Sequence, residues 1–532
     1  MTNTCTNCGS ENLRNKGYRS KNDRETLRYK CNDCGVNMFV AVGDVVKTPK
    51  EEAEKKPPKV LPINPPIDLD ESYDGLLITS CLNDTKIFTP FWENLVAYAK
   101  GHNYKLVVIK NKYKNPSALG ASNDVTYPAE CVPYFLDTTM RYRGMFKVIG
   151  DCNIQATASH PLTGIDGISE GITTIVGHPV VQMKSMPVMK GNKPIILQST
   201  GSVSLKGNYS ASKAGYRASF HHSYAAVVID IDKAANQFYV RHVSGDKNGT
   251  FYDLDEKWEN GEMSPSTIEA IYLGDEHVVF KDESVSHATF NEDNGIVHSL
   301  RPKFIIRGDV LDAKAISHHE ANNFFARWKK HNVTNMASIS DELDTTIDYL
   351  YATTPKFSTS LVINGNHEQH LDKWLNIADP KQDMINAKIY HKLMWLKLDD
   401  MEVGGGSSAF ELYHRHVYSQ ASFHKLESVL SNRVKKCEEG TIICGINVSQ
   451  HGDKGSNGAR GGIQGFSKLG EKVIVGHSHS PAILGGAYMV GTSSIMNLDY
   501  TSGASSWLHC HAIIYPNGKR QLITIINGKW RS

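Results

Sequence analysis

The 532-residue sequence holds no apolar run approaching the roughly 20 residues that a membrane-spanning helix requires. Its first residues, Met1-Thr2-Asn3-Thr4-Cys5, lack the apolar core of a secretion signal. A non-exported protein without a membrane segment, at work in a cytoplasm, is the expectation. Charge of one sign is also lacking: 58 Lys and Arg against 56 Asp and Glu leave a formal net charge of +2. Overall charge therefore points to no nucleic-acid partner, and any such partner must be argued from local segments. Hydrophobic residues at 40% and charged residues at 21% exclude wholesale disorder. The length exceeds what one hydrophobic core supports, so two or more domains are expected.

Cysteine shows no disulfide framework. Cys81, Cys131, Cys152, Cys437, Cys444 and Cys510 are scattered and read as reduced, mostly buried thiols. The other four, Cys5, Cys8, Cys31 and Cys34, form two C-x-x-C-G knuckles within residues 1–45. Four thiolates from two such turns can close a tetrahedral zinc site, and so short a segment needs a metal to fold; a redox dithiol pair is the alternative. Between the knuckles, Arg14, Lys16, Arg19, Lys21, Arg24, Arg28 and Lys30 alternate with Tyr18 and Tyr29. A basic face with two rings suits phosphate contact and base stacking, with Arg14, Arg19, Arg24, Arg28 and Lys30 as the nucleic-acid contacts. A solvated charged hairpin is the plainer reading. The run from Arg28 to Gly35 resembles the zinc ribbons of transposases and other DNA-handling proteins.

Residues 46–71 are charged and proline-rich and read as a linker. Residues 72–265 read as an α/β, β-rich middle domain that carries no catalytic motif and could serve oligomerisation. It opens with a strand at 76–79, a helix at 91–99 and a strand at 104–109. His221-His222 is taken as an adjacent pair in a strand, pointing to opposite faces and so not a ligand pair.

Residues 266–532 carry the chemistry. A strand at 270–274 delivers Asp275-Glu276-His277, and alternation places Asp275 and His277 on one side. Strands at 303–307, 360–363, 442–448 and 472–475 run into Gly308-Asp309-Val310-Leu311-Asp312, Gly365-Asn366-His367-Glu368, His451-Gly452 and Gly476-His477-Ser478-His479. Five strands thus present metal-ligand residue types at their carboxyl ends, where open α/β sheets place their sites. Helices are expected around 320–330 and 342–351. His318, His319 and His370 read as loop or helix residues, and Lys454 and Arg460 as either phosphate-gripping or solvated.

This ordered set resembles the calcineurin-like metallophosphoesterase superfamily, with motifs D-x-H, G-D-x-x-D, G-N-H-[DE], H and G-H-x-H. The resemblance implies an α/β fold, a β-sandwich flanked by helices. It implies one metal held by Asp275, His277, Asp309 and His479 and a second by Asp309, Asn366, His451 and His477. His367 would be the general acid, with Asp312 orienting it. Two divalent ions are implied, manganese favoured over iron or zinc. The chain reads Asp312-Ala313-Lys314 where the protein-phosphatase branch has an arginine after this aspartate. That departure leaves Mre11-like nucleases and small- or cyclic-nucleotide phosphodiesterases. The basic ribbon favours a polymer, and DNA is the expected substrate. Metallophosphoesterases encoded by tailed phages for DNA transfer or host-DNA degradation are similar in size, which would place the protein in a host cytoplasm. A DNA-binding or assembly protein with a vestigial site is the reading from a different class.

Overall fold

The structure, a computed structural model, describes residues 4–21, 24–41, 64–114, 125–317, 320, 323–423, 433–498 and 503–532. The chain divides into two compact units, residues 1–63 and 64–532.

The first unit is a three-stranded antiparallel sheet of Leu13–Lys21, Arg24–Cys31 and Asn37–Ala41. Each knuckle closes on a glycine in the left-handed region, Gly9 at φ 71° and Gly35 at φ 75°. Their amides donate back to the carbonyls of Cys5 and Cys31 at 2.8 and 3.0 Å.

The second unit is a two-layer sandwich. One layer is an eleven-stranded sheet. Its order runs Ile442–Ile443, Ile446–Asn447, Lys472–Val475, Ala487–Met489, Ala482–Leu484, Gln182–Met186, Ile195–Ser199, Thr173–Val176, Phe146–Ile149, Thr139–Tyr142, Ile67–Asp68. The other layer holds two sheets. A six-stranded one orders Val434–Lys436, Thr359–Val362, Phe304–Arg307, Ala270–Tyr272, Cys510–Ile514 and Arg520–Thr524, and a four-stranded one orders Gln237–Ser244, Ala225–Asp232, Gly75–Leu82 and Tyr104–Asn111. One apolar core joins all three, from Ile78 and Val227 through Phe146 and Ile196 to Tyr272, Ile306 and Ile474. Residues 182–186 pair directly with residues 482–484, so one sheet spans both halves of the unit.

Period-2 alternation buries both faces of the central strands. Val227 and Ile229 enter the sandwich core, while Ala226 and Val228 pack under the helix Thr89–Gly101 with its Phe91, Leu95 and Tyr98. Pro90 starts that helix, where a missing N–H costs nothing. On the six-stranded sheet, Ile271 and Ile305 face the helices Glu283–Phe290 and Ile296–Leu300. Helix Ile339–Ala352, capped by the Ser338 side chain, covers Val310, Leu311 and Val362 together with Gln369–Ile377 and Ala409–Phe423.

Three local expectations are corrected. The strand expected at 442–448 is a hairpin of Ile442–Ile443 and Ile446–Asn447, because Cys444 and Gly445 both adopt positive φ (48° and 75°) in a tight turn. His221 ends a helix, Lys213–His221, rather than sitting in a strand; Ser212 caps that helix by accepting from the Gly215 amide. His222 is a satisfied core residue: its Nε2 donates to the Ser204 carbonyl (2.8 Å), so its Nδ1 accepts from the Tyr209 hydroxyl (2.7 Å). The helix expected from about 320 starts at Phe324, where the Asn323 side chain caps it. No helix among the described residues is long and apolar enough to cross a membrane.

Candidate metal centre

The carboxyl ends of parallel strands from both layers meet at one end of the sandwich. Ala270–Tyr272, Phe304–Arg307 and Thr359–Val362 run parallel in one sheet, and Ile446–Asn447 and Lys472–Val475 run parallel in the other. The loops that follow them bring together all nine residues expected there.

Asp275 is fully buried. Its Oδ2 accepts the His477 amide at 2.6 Å and lies 3.2 Å from His479 Nε2. His277 Nδ1 donates to Asp312 Oδ2 (3.0 Å), which turns its Nε2 toward His479 Nε2, 3.2 Å away. Asp309 Oδ2 lies 2.9 Å from His451 Nε2 and 3.9 Å from His367 Nε2. Asn366 Oδ1 accepts from His477 Nδ1 at 2.9 Å. Donor atoms fall into two groups, His277 with Asp309 and His367, and Asp309 with His451 and His477, each within 4.8 Å. Asp309 belongs to both.

His367 departs from its expected surroundings in one respect. Its Nδ1 donates to the Asp312 carbonyl at 2.8 Å, while the Asp312 carboxylate, 3.9 Å away, serves His277 instead. Asp312 thus holds two histidines, one by its side chain and one by its backbone.

The residues fit metal ions. Asp275 Oδ1, His479 Nδ1 and both ring nitrogens of His451 are buried without hydrogen-bond partners, although Asp309 lies so close to His451. Buried polar atoms of that kind are costly unless something else satisfies them, and two donors facing one another out of line are arranged as ligands are. The charge balance agrees. Burial lowers the affinity of His277 and His451 for protons, but Asp312 and Asp309 outweigh it and raise them to about 9 and about 10. Asp309 is opposed by burial yet held well below the usual carboxylate range by His451 and His367. The carboxylates therefore seek positive charge at this point.

Backbone strain collects here as well. His277 (φ 41°), Asp309 (43°), His477 (69°) and His479 (56°) all occupy the left-handed region, at on the order of 1 kcal/mol each. Two glycines leave room for the carboxylates: a Cβ at Gly365 would lie 2.3 Å from Asp309 Oδ1, and one at Gly476 would lie 2.2 Å from Asp275 Oδ1.

Several supporting residues carry no sequence motif. Glu276, pointing away from the site as alternation requires, makes a bidentate pair with the fully buried Arg307 at 2.7 and 2.5 Å. The guanidinium lies 5.4 Å from the ring centroids of both Phe290 and Tyr349. Glu368 accepts the amides of Leu311 (3.1 Å) and Gly365 (2.9 Å), clamping two ligand loops together; burial and then Asp309 raise it to about 8. Trp507 packs edge-on to His479, with centroids 4.2 Å apart. Sequence distance concealed that contact.

Of the neighbours, the His370 ring lies tilted against His367 with centroids 5.0 Å apart, and Lys454 donates to Gln369 Oε1 at 3.0 Å, two positions beyond His367. Arg460 pairs with Lys454 through an isolated backbone bridge. His318 and His319 lie outside the described residues.

In the N-terminal unit the four cysteine sulfurs lie within 4.8 Å of one another, with Cys5–Cys34 at 3.5 Å and Cys8–Cys31 at 3.6 Å. A tetrahedral zinc with bonds near 2.3 Å separates its sulfurs by about 3.8 Å, so the cluster fits. The Val36 amide and the Asn7 side chain hold the Cys34 thiol down at about 6. Arg14 is exposed on the first strand, and Arg28 lies over the Phe39 ring at 6.0 Å. Lys30 is exposed; the side chains of Arg19 and Arg24 lie outside the described residues.

The chain is similar to Protein A1 of Escherichia phage T5: 30% identity over 477 residues, covering 85% of this chain and 82% of that protein. No family model matches the chain, and no solved structure does. At that identity and coverage, the chain belongs to the family of the phage T5 protein A1.

Proposed function

We propose that the protein is a two-metal phosphodiesterase of the calcineurin-like type that hydrolyses DNA. The observation that carries this reading is Asp309, whose carboxylate lies within 4.8 Å of ring nitrogens of His277 and of both His451 and His477. Such an arrangement suits two divalent ions, with manganese favoured by the mixed oxygen and nitrogen donors. Bound there, the ions would clamp the attacking and departing oxygens of an in-line displacement and acidify the attacking water.

The chain's own residues supply the rest. His367 spends its Nδ1 proton on the Asp312 carbonyl, so in the imidazolium form the second proton sits on Nε2, the atom that faces Asp309. That atom is placed to protonate the departing alkoxide. The Asp312 carboxylate fixes the His277 ring so that Nε2 is its donor to the centre, as carboxylates behind metal-bound histidines do. Trp507 packs against His479 at the edge of the centre.

Position 313 supports a diester over a protein phosphomonoester. Ala313 is fully buried at φ 59°, and Lys314 is turned aside into an ion pair with Glu320. No guanidinium grips a phosphate dianion there. The basic ribbon, paired with a family relative from a phage, favours a polymer.

Purified protein with manganese should degrade plasmid and linear DNA, and chelation should stop it. Intact DNA beside rapid hydrolysis of bis-p-nitrophenyl phosphate would replace the polymer reading with a small-nucleotide one. Inertness toward both, with metal bound, would leave a vestigial site.

A further inference from the structure

Twelve residues beyond Asp312, the helix Phe324–Asn332 stands almost wholly in solvent, burying only Lys330 of its nine residues. Its sequence, FFARWKKHN, holds no acidic residue. Phe324 is 70% exposed, Phe325 81% and Trp328 53%. On a helix of 3.6 residues per turn, these three rings fall on one stripe. Arg327 and His331 flank one side of the stripe and Lys329 the other, all exposed.

So large an apolar display is uncommon on a soluble surface and marks an interaction site. Its rim identifies the partner. Cations border the rings on both sides, and no acidic residue stands among them. Rings bordered by cations are what a single strand of nucleic acid requires, with bases stacking on the rings and phosphates meeting the cations. A duplex, its bases already stacked, has no use for the rings.

The root of the helix explains why this surface serves the centre. Lys330 Nζ donates to the carbonyls of Lys314 (2.9 Å) and Ala315 (3.1 Å) and pairs with Glu320 at 3.1 Å. Lys314 and Ala315 follow Asp312 by two and three residues, and their amides are held by the buried Glu342. A buried ammonium thus ties the exposed helix to the loop that carries the site's aspartates.

We infer that the helix Phe324–Asn332 is a stacking platform for single-stranded nucleic acid, feeding an unpaired strand to the metal centre. The inference rests on the diesterase reading for its purpose, but binding can be measured apart from it.

The test uses the full chain with its zinc retained and labelled phosphorothioate oligo(dT) and duplex, which resist hydrolysis, and follows their fluorescence anisotropy. The triple variant Phe324→Ala, Phe325→Ala, Trp328→Ala should bind oligo(dT) roughly tenfold or more weakly while retaining much of its salt dependence, because the cations remain. The ring-preserving variant Phe324→Tyr, Phe325→Tyr, Trp328→Phe should bind nearly as the natural protein does, which guards against misfolding. Unchanged oligo(dT) affinity in the alanine variant would overturn the platform. So would an equal loss for duplex, or a switch from oligomer to monomer in sedimentation with DNA affinity intact, which would mark a contact between copies of the chain. Hydrolysis of bis-p-nitrophenyl phosphate by the natural protein, measured separately, decides the diesterase reading whatever the binding outcome.

Discussion

Asp309 and His367 lie within 4 Å of one another and should fail in different ways. Asp309 belongs to both donor groups, so Asp309→Ala should lower metal content at both positions as well as abolish turnover. His367→Ala should keep metal content and lose on the order of 10²–10⁴ in kcat on a diester, the span typical of a general acid. Metal analysis beside a turnover assay separates them, and an inactive His367→Ala protein stripped of metal would make His367 a ligand. The histidine protons give a second residue-scale outcome. His277 and His451 titrate at about 9 and about 10 in the folded ion-free chain, above the ordinary histidine value near 6.5. Their protonation stabilises the ion-free fold fully below about pH 6.5, and that contribution is lost as pH rises through 9 and 10. A cation must displace those protons, so the rise in melting temperature on adding manganese should be greater at pH 8.5 than at pH 6.5. Equal rises at both would mean that these rings take no ion.

At the scale of elements, the strand ends are held by an ion pair that no motif announces. Arg307 ends one central strand, and Glu276 stands between two expected ligands of the next. Arg307→Met would strand a buried carboxylate and should cost about 3–5 kcal/mol, read as a lowered denaturation midpoint. Arg307→Met with Glu276→Leu should recover part of it; no recovery would locate the loss in packing against Phe290 and Tyr349. The same scale shows what the sequence conveyed. Strands at 76, 104, 270, 304 and 472 were legible because both their faces are apolar and their ends carry turn or candidate ligand residues. The candidate site residues that the structure brings together were legible because glycine, aspartate and histidine recur at those ends. The 442–448 hairpin was hidden, because an apolar run with one glycine reads as a strand until two consecutive positive φ angles are known. The Asp312 carboxylate on His277 was hidden too: spacing brings Asp312 near both histidines, and only side-chain geometry decides between them. Contacts such as Trp507 on His479 depend on chain reversals that local pattern does not record.

For the whole molecule, the division at residues 63 and 64 lets the ribbon be removed without cutting a sheet. Deleting residues 1–45 should leave hydrolysis of a small diester intact and should weaken DNA binding with a shallower salt dependence, by about one unit of log-log slope per lost phosphate contact. Unchanged DNA binding would make the ribbon's role structural. No comparable cut exists at residues 265 and 266. Residues 72–265 read from the sequence as a segment of their own, and the ladder between Gln182–Met186 and Ala482–Leu484 joins them to the strands that carry His451 and His477.

That ladder makes the eleven-stranded sheet a mechanical continuum. Strands that carry the candidate metal ligands and strands such as Phe146–Ile149, which carry none, share one core. On the proposed reading, a cation bound at one end should slow amide exchange at the other wherever exchange requires the whole layer to open. Selection for retaining metal and selection for retaining the fold act on the same residues. On the proposed reading, a lineage that lost catalysis would still have reason to keep its aspartates and histidines.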